Sequence, residues 1–281
     1  MNILYLVVIV LTLSMQNVTK KGYTQKSLGG VYTFSVMTCL AAAVFFIVTS
    51  GGIKWESGVV PYALAFATAF CTTTVFSVLA IGCGSLSLTN LMISYSLMIP
   101  ALYGVIFLKE TLSLFFYPGI ILLVISLFLI NQQGEKTKIR LKWIVYVILA
   151  TVGNGMCTTF QKMQQVKFDG AYKNELMILA LISGAIGLGV LALIQERQEI
   201  ATCIKKGWLY AVLGGLCNGV LNLFVMILSG RMSASLMFPT ISAGGIIVTY
   251  IISKYFYKET LTKKQTIGFV LGIISVILLN L

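Results

Sequence analysis

The sequence predicts an all-α integral membrane protein whose ten transmembrane helices form two inverted five-helix repeats. Three observations carry that expectation: too little charge for a water-facing surface, ten apolar runs of membrane-spanning length, and a set of residues repeated at one fixed offset.

The 281 residues are 58% hydrophobic and 10% charged, with a mean hydropathy of +0.95, whereas a soluble domain carries roughly 25% charged residues. Lipid must then be the solvent for most of the surface, and in lipid every backbone N–H and C=O has to bond internally. An apolar run meets that demand as a helix. The strands of a membrane barrel would alternate polar and apolar residues, and these runs do not.

A formal charge of +12 comes from 20 basic and 8 acidic residues. In a soluble chain such an excess would raise the question of nucleic acid. Here the basic residues fall in short segments between apolar runs, with no interleaved aromatic residues, so no nucleic-acid partner is expected. The six cysteines, Cys39, Cys71, Cys83, Cys157, Cys203 and Cys217, show no C-x-x-C spacing and read as small, reduced packing residues. The chain has no histidine and its carboxylates do not cluster. Neither a metal site nor a cofactor is expected.

Runs able to span roughly 30 Å of hydrocarbon cover Ile3–Gln16, Leu28–Thr49, Val60–Ile81, Leu86–Leu108, Leu114–Asn131, Leu141–Phe160, Glu175–Ile194, Trp208–Ser229, Ser233–Tyr255 and Gln265–Leu281. The first has neither a basic segment before it nor a small-residue cleavage site after it, and reads as a retained helix. A polar stretch with Glu135, Lys136, Lys138 and Arg140 splits the chain into a first unit at 1–132, a linker at 133–140 and a second unit at 141–281.

The two units echo each other. Phe107, Lys109-Glu110-Thr111-Leu112, Gly119, Leu122, Ile125, Ser126, Leu129 and Asn131 recur as Phe256, Lys258-Glu259-Thr260-Leu261, Gly268, Leu271, Ile274, Ser275, Leu278 and Asn280, always 149 positions on. Because five spans is an odd number, the second unit must enter the membrane with the opposite polarity, as in inverted-repeat transporters. Fourteen of the 20 Lys and Arg residues fall in the loops after spans 1, 3, 5, 7 and 9 or, as Lys142 and Lys254, within two residues of them. The positive-inside rule then places both termini outside.

Four spans, then Lys-Glu-Thr-Leu, then a helix with Gly nine residues after the Glu, twice over, resembles the paired EamA-type repeats of the drug/metabolite transporter superfamily. The resemblance implies a multi-pass protein of the cell membrane, with spans 1 to 4 and 6 to 9 around a central cavity and spans 5 and 10 as outer supports. Relatives of this type are generally drawn with both termini in the cytoplasm, opposite to the charge count. The related four-helix multidrug exporters carry a glutamate in the first helix; this first run has none. All eight carboxylates lie in loops or at span ends, so no buried ionisable residue is expected. Proton-coupled export of cations is disfavoured, and neutral or zwitterionic substrates are favoured.

Neutral polar residues are therefore the candidate cavity lining. Asn154, Thr158 and Gln161 share one face of span 6, and Asn218 and Asn222 are one turn apart in span 8. Asn90 in span 4 corresponds to Pro239 in span 9, where a proline frees a carbonyl and could open the helix. Ser235, Pro239, Ser242 and Thr249 share a face; Thr73, Ser77, Tyr95, Tyr103 and Gln16 could add hydroxyls, aromatic walls and an amide. The competing reading for each is a hydrogen bond to a neighbouring helix. The repeated Glu110 and Glu259, with Gly119 and Gly268, read as structural: a helix cap with an interfacial ion pair, and close helix contact. The Gly215/Gly219 and Gly268/Gly272 spacings could serve packing within the chain or a homodimer.

The expectation is a secondary carrier or facilitator for a small polar or amphipathic metabolite, not an enzyme. Multidrug efflux is the alternative, on the strength of 16 Phe and 13 Tyr. A membrane enzyme acting on lipid-linked substrates is the remote one, since it would need an acid/base pair, a metal or an activated nucleophile.

Overall fold

A computed structural model of the chain describes residues 2–26, 29–108, 114–131, 141–229 and 234–279. Among these residues there are eleven α-helices and no strand: α1 (Asn2–Gln25), α2 (Val31–Thr49), α3 (Val60–Cys83), α4 (Leu86–Ser94), α5 (Met98–Leu108), α6 (Phe116–Asn131), α7 (Leu141–Lys167), α8 (Lys173–Gln195), α9 (Ile200–Ser229), α10 (Ala234–Phe256) and α11 (Lys263–Leu279). The six runs Ile3–Gln25, Val31–Thr49, Ser57–Cys83, Leu141–Lys167, Lys173–Gln195 and Ile200–Val225 are long and apolar enough to cross a membrane. Large apolar side chains face outward, among them Val48, Phe107 and Phe128. A surface of that kind is matched by hydrocarbon rather than water, and the chain is a multi-pass membrane protein.

Two elements differ from the sequence expectation. The first helix does not stop at Gln16 but continues to Gln25, which puts Lys20 and Lys21 on α1 rather than in a loop. Neighbouring helices make this tolerable: Lys20 Nζ donates to Ser77 Oγ at 2.9 Å, and Lys21 Nζ to the Ile81 and Gly84 carbonyls at 3.3 and 3.2 Å. The charge count therefore loses two of its loop residues, and the expectation of no buried ionisable side chain fails, because Lys20 is 7% exposed.

The fourth span is also not one helix. A 3-10 turn at Tyr95–Leu97 separates α4 from α5. Pro100 has no N–H to give the Ser96 carbonyl one turn earlier, so the ladder tightens there. Asn90 sits within regular α4, and the backbone at Pro239, where the proline could have opened the helix, is helical. The side chain of Pro239, and that of Ser235, lie outside the described residues.

Helices of the first half pack on helices of the second: α1 on α9 and α10, α2 on α8 and α9, α3 on α7 and α8, α4 and α5 on α7, α4 on α10, and α6 on α11. Within the first half α1 also packs on α3 and α4, and α2 on α3. Among the described residues, α7 does not pack comparably on α9 or α10, nor α8 on α9.

The α6/α11 joint is reciprocal. Ser126 Oγ donates to the Gly268 carbonyl at 2.7 Å, and Ser275 Oγ donates to the Gly119 carbonyl at 2.8 Å. In each helix the serine follows the glycine by seven residues, so pairing each serine with the opposite glycine requires the helices to run antiparallel. Gly272 allows the approach: a Cβ there would lie 2.8 Å from both Ser126 Oγ and Tyr95 Oη. Gly215 and Gly219 similarly face α2, at the Thr38 carbonyl and Phe45. Both spacings serve contacts within the chain.

Interhelical hydrogen bonds in bilayers contribute about 0.6 kcal/mol each. Ser126→Ala and Ser275→Ala should therefore each lower the thermal midpoint in detergent by a small and similar amount. Gly272→Val should lower it far more, because the valine would displace α6 and Tyr95 together; a wild-type midpoint for Gly272→Val would contradict this joint.

Candidate functional site

The polar side chains of the bundle gather in two places. One lies toward the C-terminal end of α1, where α1, α3, α4 and α10 meet. Asn17 Nδ2 donates to Asn90 Oδ1 at 2.7 Å, and Asn90 Nδ2 reaches the Gly245 carbonyl at 3.4 Å, tying α1, α4 and α10 in one chain. Thr249 Oγ1 donates to Ser14 Oγ at 3.3 Å, one level further from the α1 terminus.

Glu259 closes this end. α10 stops at Phe256, and a turn with Lys258 in the left-handed region (φ 52°) swings Glu259 back toward the bundle. Its carboxylate accepts both Ser85 Oγ at 2.8 Å and the Leu86 N–H at 3.0 Å, capping α4, and also accepts the Ser253 hydroxyl. Lys21 Nζ lies 3.1 Å away. Glu259 thus caps a helix of the opposite half rather than the α11 that follows it. Burial pushes its carboxyl up, but the Ser253 hydroxyl, the Leu86 N–H, the Lys21 ammonium and Ser85 together outweigh that and hold it below its ordinary 4.5. At the same end Glu196 accepts from the Tyr32 and Thr33 N–H groups, both at 2.9 Å, and Glu199 from the Gly30 N–H at 2.6 Å, capping α2.

The second cluster surrounds the break between α4 and α5. Asn154 Nδ2 donates to Ser96 Oγ at 2.7 Å, and Thr158 Oγ1 to the Asn154 carbonyl at 3.1 Å. Gly155 lets α7 press on the break, since a Cβ there would lie 2.7 Å from the Ser96 carbonyl. Thr73 Oγ1 reaches the Ala150 carbonyl on the same helix at 3.5 Å.

The remaining candidates disperse. Asn218 and Asn222 bond to each other, Asn222 Nδ2 donating to the Asn218 carbonyl at 2.9 Å, with Asn218 buried and Asn222 half-buried. Gln161 and Gln16 are half-buried on α7 and α1, and Ser242 is buried on α10. The Tyr95 hydroxyl donates to Ser126 Oγ at 3.2 Å, inside the α6/α11 joint. Tyr103 stacks on Phe107, with centroids 5.1 Å apart. Ser77 is consumed by Lys20 and by the Thr74 carbonyl at 3.0 Å. Glu110 lies outside the described residues.

Lys20, Asn17 and the cross-half reach of Glu196 are the residues that sequence reasoning missed. Asn17 and Lys20, three apart on what proves to be one helix, were the available signal for the first two. Among the described residues no group of His, Cys, Asp or Glu could hold a metal ion.

A bundle of apolar helices whose polar side chains link two halves across their centre matches what comparison finds. The sequence model of the EamA-like transporter family matches residues 141–281. The chain belongs to the EamA-like transporter family. It falls within the drug/metabolite transporter superfamily, as the repeated motif implied. No curated protein sequence matches it. A solved structure described only as "Crystal structure of protein" superposes with a TM-score of 0.64 at 10% identity, over 98% of this chain and 94% of that one. At that identity the likeness concerns the fold alone.

Glu259→Gln keeps the shape but removes the charge from four donors. Hydrogen bonds to charged groups contribute about 1.5 to 3 kcal/mol, so the variant should unfold several degrees below wild type in detergent. A carboxyl held below its ordinary value contributes stability that is fully present above that value and lost as pH falls through the lower folded one. Wild-type stability should therefore exceed that of Glu259→Gln at pH 7 and converge on it below about pH 4.5; parallel pH profiles would contradict the assignment.

Proposed function

We propose that this EamA-family protein is a secondary carrier of the cell membrane that moves a small metabolite by alternating access, and that it catalyses no covalent chemistry. The observation that carries the reading is the pairing of helices. Counting α4 and α5 as one span, exchange of the two halves turns α1/α9 into α7/α3, α2/α9 into α8/α3, and α1/α10 into α7 with α4 and α5, while α2/α8, α4/α10 and α6/α11 map onto themselves. With α6 and α11 antiparallel, this is the packing expected of two inverted five-helix repeats.

The exchange does not hold for every pair: among the described residues α10 and α4 also pack on α11 without comparable counterparts on α6, and α1 packs on α3 and α4. These α1 contacts lie at the end held by Asn17, Asn90, Lys21 and Glu259, and of the positions 149 away that would make the equivalent contacts of α7 with α9 and α10, Pro239 and Glu110 have side chains outside the described residues. Two inverted halves closed at one end would form one of the two access states of a carrier. Rocking about the α6/α11 joint would part the first set and form the second.

Lys21→Cys/Glu259→Cys in a background without the native cysteines places a pair across the closed end. Untargeted profiling of cells and medium should find at least one compound redistributed relative to empty vector. Joining the pair with a reducible bifunctional thiol reagent should abolish that redistribution, and reduction should restore it. Unchanged flux with the pair joined would contradict alternating access; no redistribution by the wild-type chain under several growth conditions would contradict transport.

A further inference from the structure

Lys20 carries a buried charge whose described partner is neutral. It is 7% exposed, and among the described residues its ammonium has one bonding partner, the neutral Ser77 hydroxyl. The ion pair of this region belongs to its neighbour, Lys21 with Glu259. An ammonium has three N–H donors, and a buried charge without a counter-charge is destabilising by several kcal/mol. Such a group inside a membrane bundle has a functional reason to persist.

A second observation falls at the same place. Ser87 Oγ is buried with no hydrogen-bond partner. Asn17 of α1 meets Asn90 of α4, and four residues further along α1, Lys21 meets the carboxylate that caps Leu86, four residues back along α4. α1 and α4 therefore run antiparallel here, which puts Lys20 and Ser87 at one level between those two contacts. Lys20 shares the helix face of Asn17, and Ser87 that of Asn90, each three residues away. At one level, α1 thus carries a buried ammonium whose bond goes to the Ser77 hydroxyl of α3, leaving donors to spare, and α4 carries a buried hydroxyl with no partner.

We infer that the α1/α4 seam at this level is an anion subsite: Lys20, with Ser87 beside it, takes the carboxylate of the transported metabolite when the end held by Lys21 and Glu259 parts. The inference rests on the carrier reading and gives it a substrate class. A carboxylate accepts from ammonium and hydroxyl together, in the charge-assisted geometry that is strongest for such pairs. It also supplies the counter-charge that the closed bundle lacks, so that loaded Lys20 passes through a low-dielectric interior as a neutral pair. The preference for neutral or zwitterionic substrates that followed from an apparent lack of embedded charge is thereby shifted to substrates that carry a carboxylate.

The test profiles metabolites in cells and medium for wild type, Lys20→Met, Lys20→Arg, Ser87→Ala and empty vector, at matched membrane expression and with thermal midpoints of the purified proteins. The compounds redistributed by wild type should carry a carboxylate. Lys20→Met should reduce their flux at least tenfold while its midpoint stays at or above wild type, because it removes an unpaired buried charge. Lys20→Arg should keep part of the flux, and Ser87→Ala should weaken it several-fold. Redistributed compounds without an acidic group would overturn the inference and leave the carrier intact. So would wild-type flux in Lys20→Met, or a collapsed midpoint in Lys20→Met with normal flux in Ser87→Ala, which would make Lys20 structural. No redistribution by wild type would remove the carrier reading, and this inference with it.

Discussion

Inside a bilayer a polar group that loses its protein partner has no water to turn to, and that single condition arranges this fold. Main-chain groups are satisfied within helices, and where the ladder is interrupted something arrives to answer it. The break at Tyr95–Leu97 is met by Asn154 and by the close approach that Gly155 permits. The N-terminus of α4 is met by Glu259, and that of α2 by Glu196 and Glu199. Each of these partners comes from the other half of the chain, so the demand for internal hydrogen bonding is also what fastens the halves together.

The same condition makes the pivot and the closed end different in kind. At the α6/α11 joint, two serines bond to backbone carbonyls deep in the helices, with no charge involved. At the closed end, charged and amide side chains cross between α1, α4 and α10 near the termini of those helices. Such contacts could be exchanged for water if that end opened. A carrier needs that contrast between a joint that persists and an end that can let go.

Much of the architecture was legible in the sequence because membrane helices announce themselves by apolarity and because the Gly and Ser positions recur at a constant offset. The offset was read as packing, and the structure gives Gly119, Ser126, Gly268 and Ser275 reciprocal roles in one joint. What apolarity hides is a polar residue that belongs to a helix. The run ending at Gln16 looked finished because two lysines follow it, yet α1 goes on for two more turns with Lys20 and Lys21 bonded to α3 and Glu259. Partners 57 or more residues away decide such a boundary, and a local pattern contains no trace of them. Pro100 was legible but overlooked in favour of Pro239. The spacing of Tyr95 does not say which neighbour it faces.

The account depends most on the opposite orientation of the two halves, and one labelling experiment addresses that directly. Leu114 and Lys263 are exposed residues, 149 positions apart, at the N-terminal starts of α6 and α11. In a background with the six native cysteines replaced, Leu114→Cys and Lys263→Cys would each be treated in intact cells with a membrane-impermeant maleimide. Inverted halves require one of the two to react from outside and the other only after permeabilisation. Reaction of both from outside, or of both only after permeabilisation, would place α6 and α11 in the same orientation and remove the basis for alternating access.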